Sequence, residues 1–235
     1  MSASHTSRQI WIIFRQGLRV ELADRRRLMS PLMFAATFLV LFSFAVGDID
    51  KSLALRIYVA ESFLGVFFAL EVVFSRIFEP DSEDRVFEIL RTYPVNPFAW
   101  FVGKFILSFT AGAAIAVPAM ILAALFNSKA GVNIADPVIL GIPCLALGGM
   151  ASLGVLLSTL TMRASSRQIL YPILYFPLII PVLLAAVQAT LIYLETGKMT
   201  SMFQNWIGLL AGFDTIYFTL GLLLFREIVE PERGD

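Results

Sequence analysis

The chain has 235 residues, of which 58% are hydrophobic and 15% charged, with 18 basic and 18 acidic side chains and a mean hydropathy of +0.79. A water-soluble domain of this length cannot hide that much apolar side chain, so composition excludes a soluble globular protein and predicts an all-α polytopic membrane protein. The single cysteine, Cys144, excludes an intramolecular disulfide.

The opening residues, MSASHTSRQIW, lack the charged-then-apolar pattern and small-residue cleavage site of a signal peptide. The first spans are therefore expected to direct membrane targeting. Residues 1–27 form the N-terminal segment. Trp11, Phe14, Leu18 and Leu22 recur at helical spacing, Arg15 and Arg19 lie on another side, and Arg25, Arg26 and Arg27 follow in a run. This pattern predicts an amphipathic helix in the cytoplasmic interface, apolar side down, with arginines near anionic headgroups of the lipid bilayer. The plainer alternative is an orientation signal with no further role, and the two are compatible.

Residues 28–229 contain six runs long enough to cross a bilayer, which takes about 20 apolar residues as helix. They lie near Leu28 to Val46, Leu53 to Phe74, Phe98 to Phe126, Pro137 to Leu160, Ile169 to Leu194 and Trp206 to Val229. The second run carries Arg56, Glu61 and Glu71. An ionisable side chain in hydrocarbon is costly and is by default a functional candidate. Arg56 can snorkel outward and Glu71 lies near the cytoplasmic edge. Glu61 is deeper. It either faces a substrate path or pairs with a polar group on another helix. Arg56, five residues away, is poorly spaced to be that partner.

Between the second and third runs comes RIFEPDSEDRVFEILRTYP, Arg76 to Pro94. Phe78, Phe87 and Leu90 supply apolar anchors, and Glu79, Asp81, Glu83, Asp84 and Glu88 supply acid. Pro80 suits a first helical turn, the acids after it complement the helix dipole, and Pro94 and Pro97 stop the helix. A short helix over Asp81 to Arg91, roughly in the membrane plane, is predicted. In transporters powered by a separate ATPase such a coupling helix fits a cleft in that ATPase. The other reading is a solvated loop kept out of lipid by its charges.

In the fourth run Gly148, Gly149 and Gly154, with Ala151 and Ser152, predict a close-packing surface, within the chain or between copies. In the fifth, Pro172, Pro177 and Pro181 interrupt the hydrogen-bond ladder repeatedly, giving either a static kink or a bent helix that moves. Residues 230–235 are a short tail.

Lys and Arg set the orientation. Arginines crowd the N-terminal segment, the second and fourth loops and the tail. The opposite side has only Lys51, Arg56, Lys129 and Lys198. Both termini and the charged second loop are expected in the cytoplasm.

The second loop also carries a resemblance. Arg76, Ile77, Phe78, Asp81, Phe87, Glu88, Leu90 and Pro94, then Lys104 in the third run and LYPILYFPLIIPVLLAA in the fifth, resemble the CcmB family over about Phe14 to Val187. That family is the membrane subunit of an ABC-type complex of cytochrome c maturation, often called heme exporter protein B. The chain departs from the pattern at Arg85, where the family usually has glycine, and at Phe87, where it has leucine. The resemblance implies a non-catalytic permease subunit of a bacterial inner membrane. Its implied partners are an ABC ATPase subunit that binds and hydrolyses the ATP, a haem-handling membrane protein, a periplasmic haem chaperone and a second copy of the chain. Haem, or release of the haem-loaded chaperone, is the implied cargo event. Arg76, Phe78, Asp81, Asp84, Glu88 and Leu90 are the implied ATPase contact.

No phosphate-binding GxxxxGK[ST] is present, nor HExxH or GxSxG, so the chain should not itself hydrolyse ATP or act as an enzyme. The one histidine, His5, lies outside the spans, so the membrane region offers no histidine ligand for haem. Nothing points to a bound cofactor, a metal or nucleic acid. A permease for another cargo (lipid, polysaccharide or drug) and an ATPase-independent scaffold or channel are the remaining readings.

Overall fold

The structure is a computed structural model that describes residues 3–47, 49–83, 96–161, 164 and 166–229. Among these, six helices are long and apolar enough to cross a membrane. The spans run Arg26–Val46, Lys51–Ser75, Pro97–Phe126, Pro137–Thr161, Arg167–Thr196 and Ser201–Val229. Each agrees with the hydropathy reading to within a few residues at either end. An N-terminal helix, Ala3–Ala23, precedes them, and a five-residue helix, Glu79–Glu83, follows the second span.

Local chemistry sets several of these ends. Pro97 occupies the first turn of the third span, where its missing N–H is harmless, and the Asn96 side chain accepts from the Phe98 amide at 3.0 Å. The fifth span stops at Gly197, whose φ of 64° lies in the left-handed region and whose N–H reaches the Tyr193 carbonyl at 2.8 Å. The short helix after the second span starts at Glu79, two residues before the predicted start. The predicted remainder to Arg91 lies outside the described residues beyond Glu83.

The second and fourth spans are the most enclosed, while the first and last are largely open on the outside of the bundle. The fourth span packs on the fifth and sixth, the second on the first, third and fifth. Small residues make these approaches close. A Cβ at Gly154 would come within 2.8 Å of Phe74, and one at Gly112 within 2.7 Å of Leu147. The expected close-packing face of the fourth span is thus used inside the chain.

Pro172, Pro177 and Pro181 sit within one continuous helix. Pro181 disturbs the bonds of carbonyls three and four residues before it. The Tyr217 hydroxyl of the sixth span donates to the Leu178 carbonyl, three residues before Pro181. A neighbouring helix thereby satisfies a backbone group that lipid could not.

The N-terminal helix lies along the start of the third span. A Cβ at Gly103 would meet Ile13 at 2.8 Å, and one at Gly17 would meet the tip of Leu107 at 2.3 Å. Phe14 and Leu18 join Ile13 against a cluster of Ile77, Phe78, Trp100, Phe101, Leu107, Val155 and Phe225. Trp11 and Leu22, expected on the same apolar side, point outward with Arg15 and Arg19. The helix therefore splits its apolar residues between protein and surroundings, because two glycines let its backbone dock on the span.

Candidate functional site

The charged and aromatic residues gather where the second span ends and the second loop begins. Phe78 is fully buried, with ring centroids 6.5 Å from Trp100 and 6.2 Å from Phe225. Lys104 projects from the third span into this apolar cluster and is itself buried. Its Nζ forms an ion pair with Asp81, donates to the Ile77 carbonyl at 3.3 Å and lies 4.9 Å from the Phe78 ring centroid. A lysine is tolerated here because carboxylate, carbonyl and ring face together replace its hydration.

A second set of bonds ties the same root to the chain's beginning. The Arg76 guanidinium donates to the Arg27 carbonyl at 2.9 Å. Arg27 in turn holds Glu21 at 2.8 Å and Glu79 at 3.1 Å. From the fifth span, Arg167 donates to the Ser75 carbonyl. The root, residues 75–81, is thus fastened to the N-terminal helix and to the first, third and fifth spans. A cavity of about 120 Å³ beside it is lined by Gly17, Glu21, Asp81, Trp100 and Lys104 among others. A wider cleft of about 780 Å³ opens between Glu71, Arg76, Glu79 and Arg167.

Of the implied ATPase-contact residues, Arg76, Phe78 and Asp81 are in this root. Their side chains are engaged inward, with Arg27, the aromatic cluster and Lys104. Asp84, Glu88 and Leu90 lie outside the described residues, as do Arg85, Phe87 and Pro94.

Glu61 is fully buried and accepts from the Asn127 side chain, which caps the third span. One carboxylate oxygen of Glu61 thus pairs with a polar group from another helix, while the other has no hydrogen-bond partner among the described residues. Arg56 pairs with Glu195 at the end of the fifth span, 2.8 Å away. Glu71 lines the cleft.

Sequence reasoning passed over one acid. Asp214 lies midway along the sixth span against Gly148 and Gly149 of the fourth, with one carboxylate oxygen buried and without a hydrogen-bond partner among the described residues. A Cβ at Gly149 would fall 2.0 Å from that oxygen, so only glycine leaves room for it. The signal was an acid inside a strongly apolar run, the same signal that drew notice to Glu61.

Among the described residues no group of His, Cys, Asp and Glu is placed to hold a metal ion. The contacts described join the start of a short charged segment to three spans and, through Arg27, to the N-terminal helix. Residues 8–227 match the family model described as CcmB protein. No curated protein matches the chain.

Proposed function

The chain belongs to the CcmB family, which supports a haem-exporter membrane subunit of cytochrome c maturation, and from that premise we propose that its second loop receives the work of a separate ATPase. The observation that carries this reading is the multiply fastened root. Residues 75–81 are joined by side-chain bonds to the first, third and fifth spans, and through Arg27 to Glu21 of the N-terminal helix. A displacement applied beyond Glu83 is passed to all of them at once, since packed helices shift as units.

In this reading the six implied contact residues divide. Arg76, Phe78 and Asp81 hold the root, while Asp84, Glu88 and Leu90 meet the ATPase. The loop and both termini face the cytoplasm of a bacterial inner membrane, where the arginines collect. Two copies of the chain work with two ATPase subunits and with a haem-handling membrane protein. The work enables haem delivery, either as haem export or as release of the haem-loaded periplasmic chaperone. Glu61 is a structural tether, and the fifth span, with Pro172, Pro177 and Pro181, is the element that bends.

The test is charge reversal of Asp84 and Glu88 together. ATPase co-purification and c-type cytochrome levels should both fall, with the amount of the chain in the membrane unchanged. Normal cytochrome levels with the ATPase still bound would sink the contact assignment.

A further inference from the structure

The N-terminal helix has one face on protein and one face open. The open face carries Arg8, Arg15 and Arg19 interleaved with Trp11, Ile12 and Leu22, all exposed. These arginines form no ion pair with a described residue. Positive charge and large apolar side chains on one face fit a lipid surface: phosphates meet the guanidinium groups, and the apolar side chains enter the headgroup boundary.

Connectivity fixes the depth. Only Asp24 and Arg25 separate Ala23, the end of this helix, from Arg26, where the first span begins. The three Cα steps from Ala23 to Arg26 reach about 11 Å at most, so the end carrying Arg19 and Leu22 stays close to the start of the first span, at the membrane surface. Gly17 meets the tip of Leu107, which fixes the middle of the helix against the third span. A soluble partner would have to displace lipid to reach this face.

The opposite face carries Glu21, buried and held by Arg27 at 2.8 Å, and Arg27 also holds Glu79 of the second-loop root. The run of three arginines is thereby divided: Arg25 and Arg26 are exposed, and Arg27 is an internal bridge.

We propose that the open face of the N-terminal helix is a binding site for anionic phospholipid headgroups, and that its occupation steadies the root of the second loop through Glu21, Arg27 and Glu79. The proposal deepens the coupling role above by adding its regulation: the membrane's anionic lipid sets how firmly the root is held when the ATPase pushes.

The experiment uses the full chain alone in nanodiscs, so its outcome is independent of whether an ATPase binds. In discs of equal phosphatidylcholine and phosphatidylglycerol, native mass spectrometry counts the lipids retained. The wild type should prefer phosphatidylglycerol, by about five-fold for each arginine engaged. Replacing Arg8, Arg15 and Arg19 together by Gln should abolish the preference, and replacing all three by Lys should keep it. Hydrogen exchange at residues 76–83 should be slower in phosphatidylglycerol discs than in phosphatidylcholine discs. Glu21→Gln should remove that slowing while leaving the lipid preference intact. No preference in the wild type, an undiminished preference in the Gln variant, or exchange at 76–83 indifferent to lipid would each overturn the proposal. Equal slowing by inorganic phosphate in phosphatidylcholine discs would overturn the assignment to lipid. None of these results touches the Asp84 and Glu88 test, which separates failure here from failure of the ATPase contact.

Discussion

Lys104→Met removes the ammonium group from the centre of the loop root while keeping most of the side chain's volume. The Lys104 side chain is 6% exposed and its Asp81 partner 17% exposed. Breaking a fully buried pair by deleting one partner costs about 3–5 kcal/mol, because the other charge is left uncompensated. Asp81 is partly open and borders a cavity, so the lower part of that range applies. The lost bond to the Ile77 carbonyl lies within it, and the whole effect is about 3 kcal/mol. That corresponds to a hundredfold rise, or roughly so, in the population with the root detached. Hydrogen exchange read segment by segment is the assay. Exchange should quicken at residues 77–83 and stay unchanged in the middle of the second and fourth spans. The double variant Lys104→Met with Asp81→Leu should recover most of the loss, since an apolar pair of similar volume replaces a buried ion pair at little cost. Unchanged exchange at 77–83 in the single variant would refute the clamp. So would uniform acceleration through every span, which would mean that Lys104 supports the bundle as a whole.

Three further outcomes are expected. Gly154→Val should lower thermal stability in detergent by about 1–3 kcal/mol, because its Cβ would sit 2.8 Å from the Cβ of Phe74, a neighbour that cannot swing aside. A melting temperature equal to wild type would contradict the packing described. Tyr217→Phe should cost about 1–3 kcal/mol by leaving the Leu178 carbonyl unsatisfied next to Pro181, read as faster exchange confined to the fifth span near Leu178. Asn127→Ala should destabilise by a similar amount, about 1–3 kcal/mol, because Glu61 loses its side-chain donor. Adding Glu61→Leu should restore the melting temperature, and failure to do so would argue that the carboxylate serves more than the tether.

The resemblance rests on loop and fifth-span residues that hydropathy alone could not interpret, and the family match over residues 8–227 agrees with it. The N-terminal helix was legible as a helix, but not in its facing. Phe14 and Trp11 look equivalent in a helical pattern, yet one packs on the third span and the other faces outward. That difference comes from Gly17, which leaves room for the Leu107 side chain, and Gly103, which leaves room for that of Ile13. Asp214 was passed over because the sixth run is so apolar that its sum hides one acid.

What the sequence by itself determined was the membrane class and the six spans, with ends good to a few residues. Apolar length is a local sum along the chain, and a bilayer reads it residue by residue. Only the tertiary structure decided which charges are partners. Arg27 finds Glu79 across 52 positions, Glu61 finds Asn127 across 66, and Tyr217 finds Leu178 across 39. Inside hydrocarbon such groups must be satisfied by whatever another helix brings alongside. Which helix that is depends on how the bundle closes, and no stretch of sequence carries that information alone.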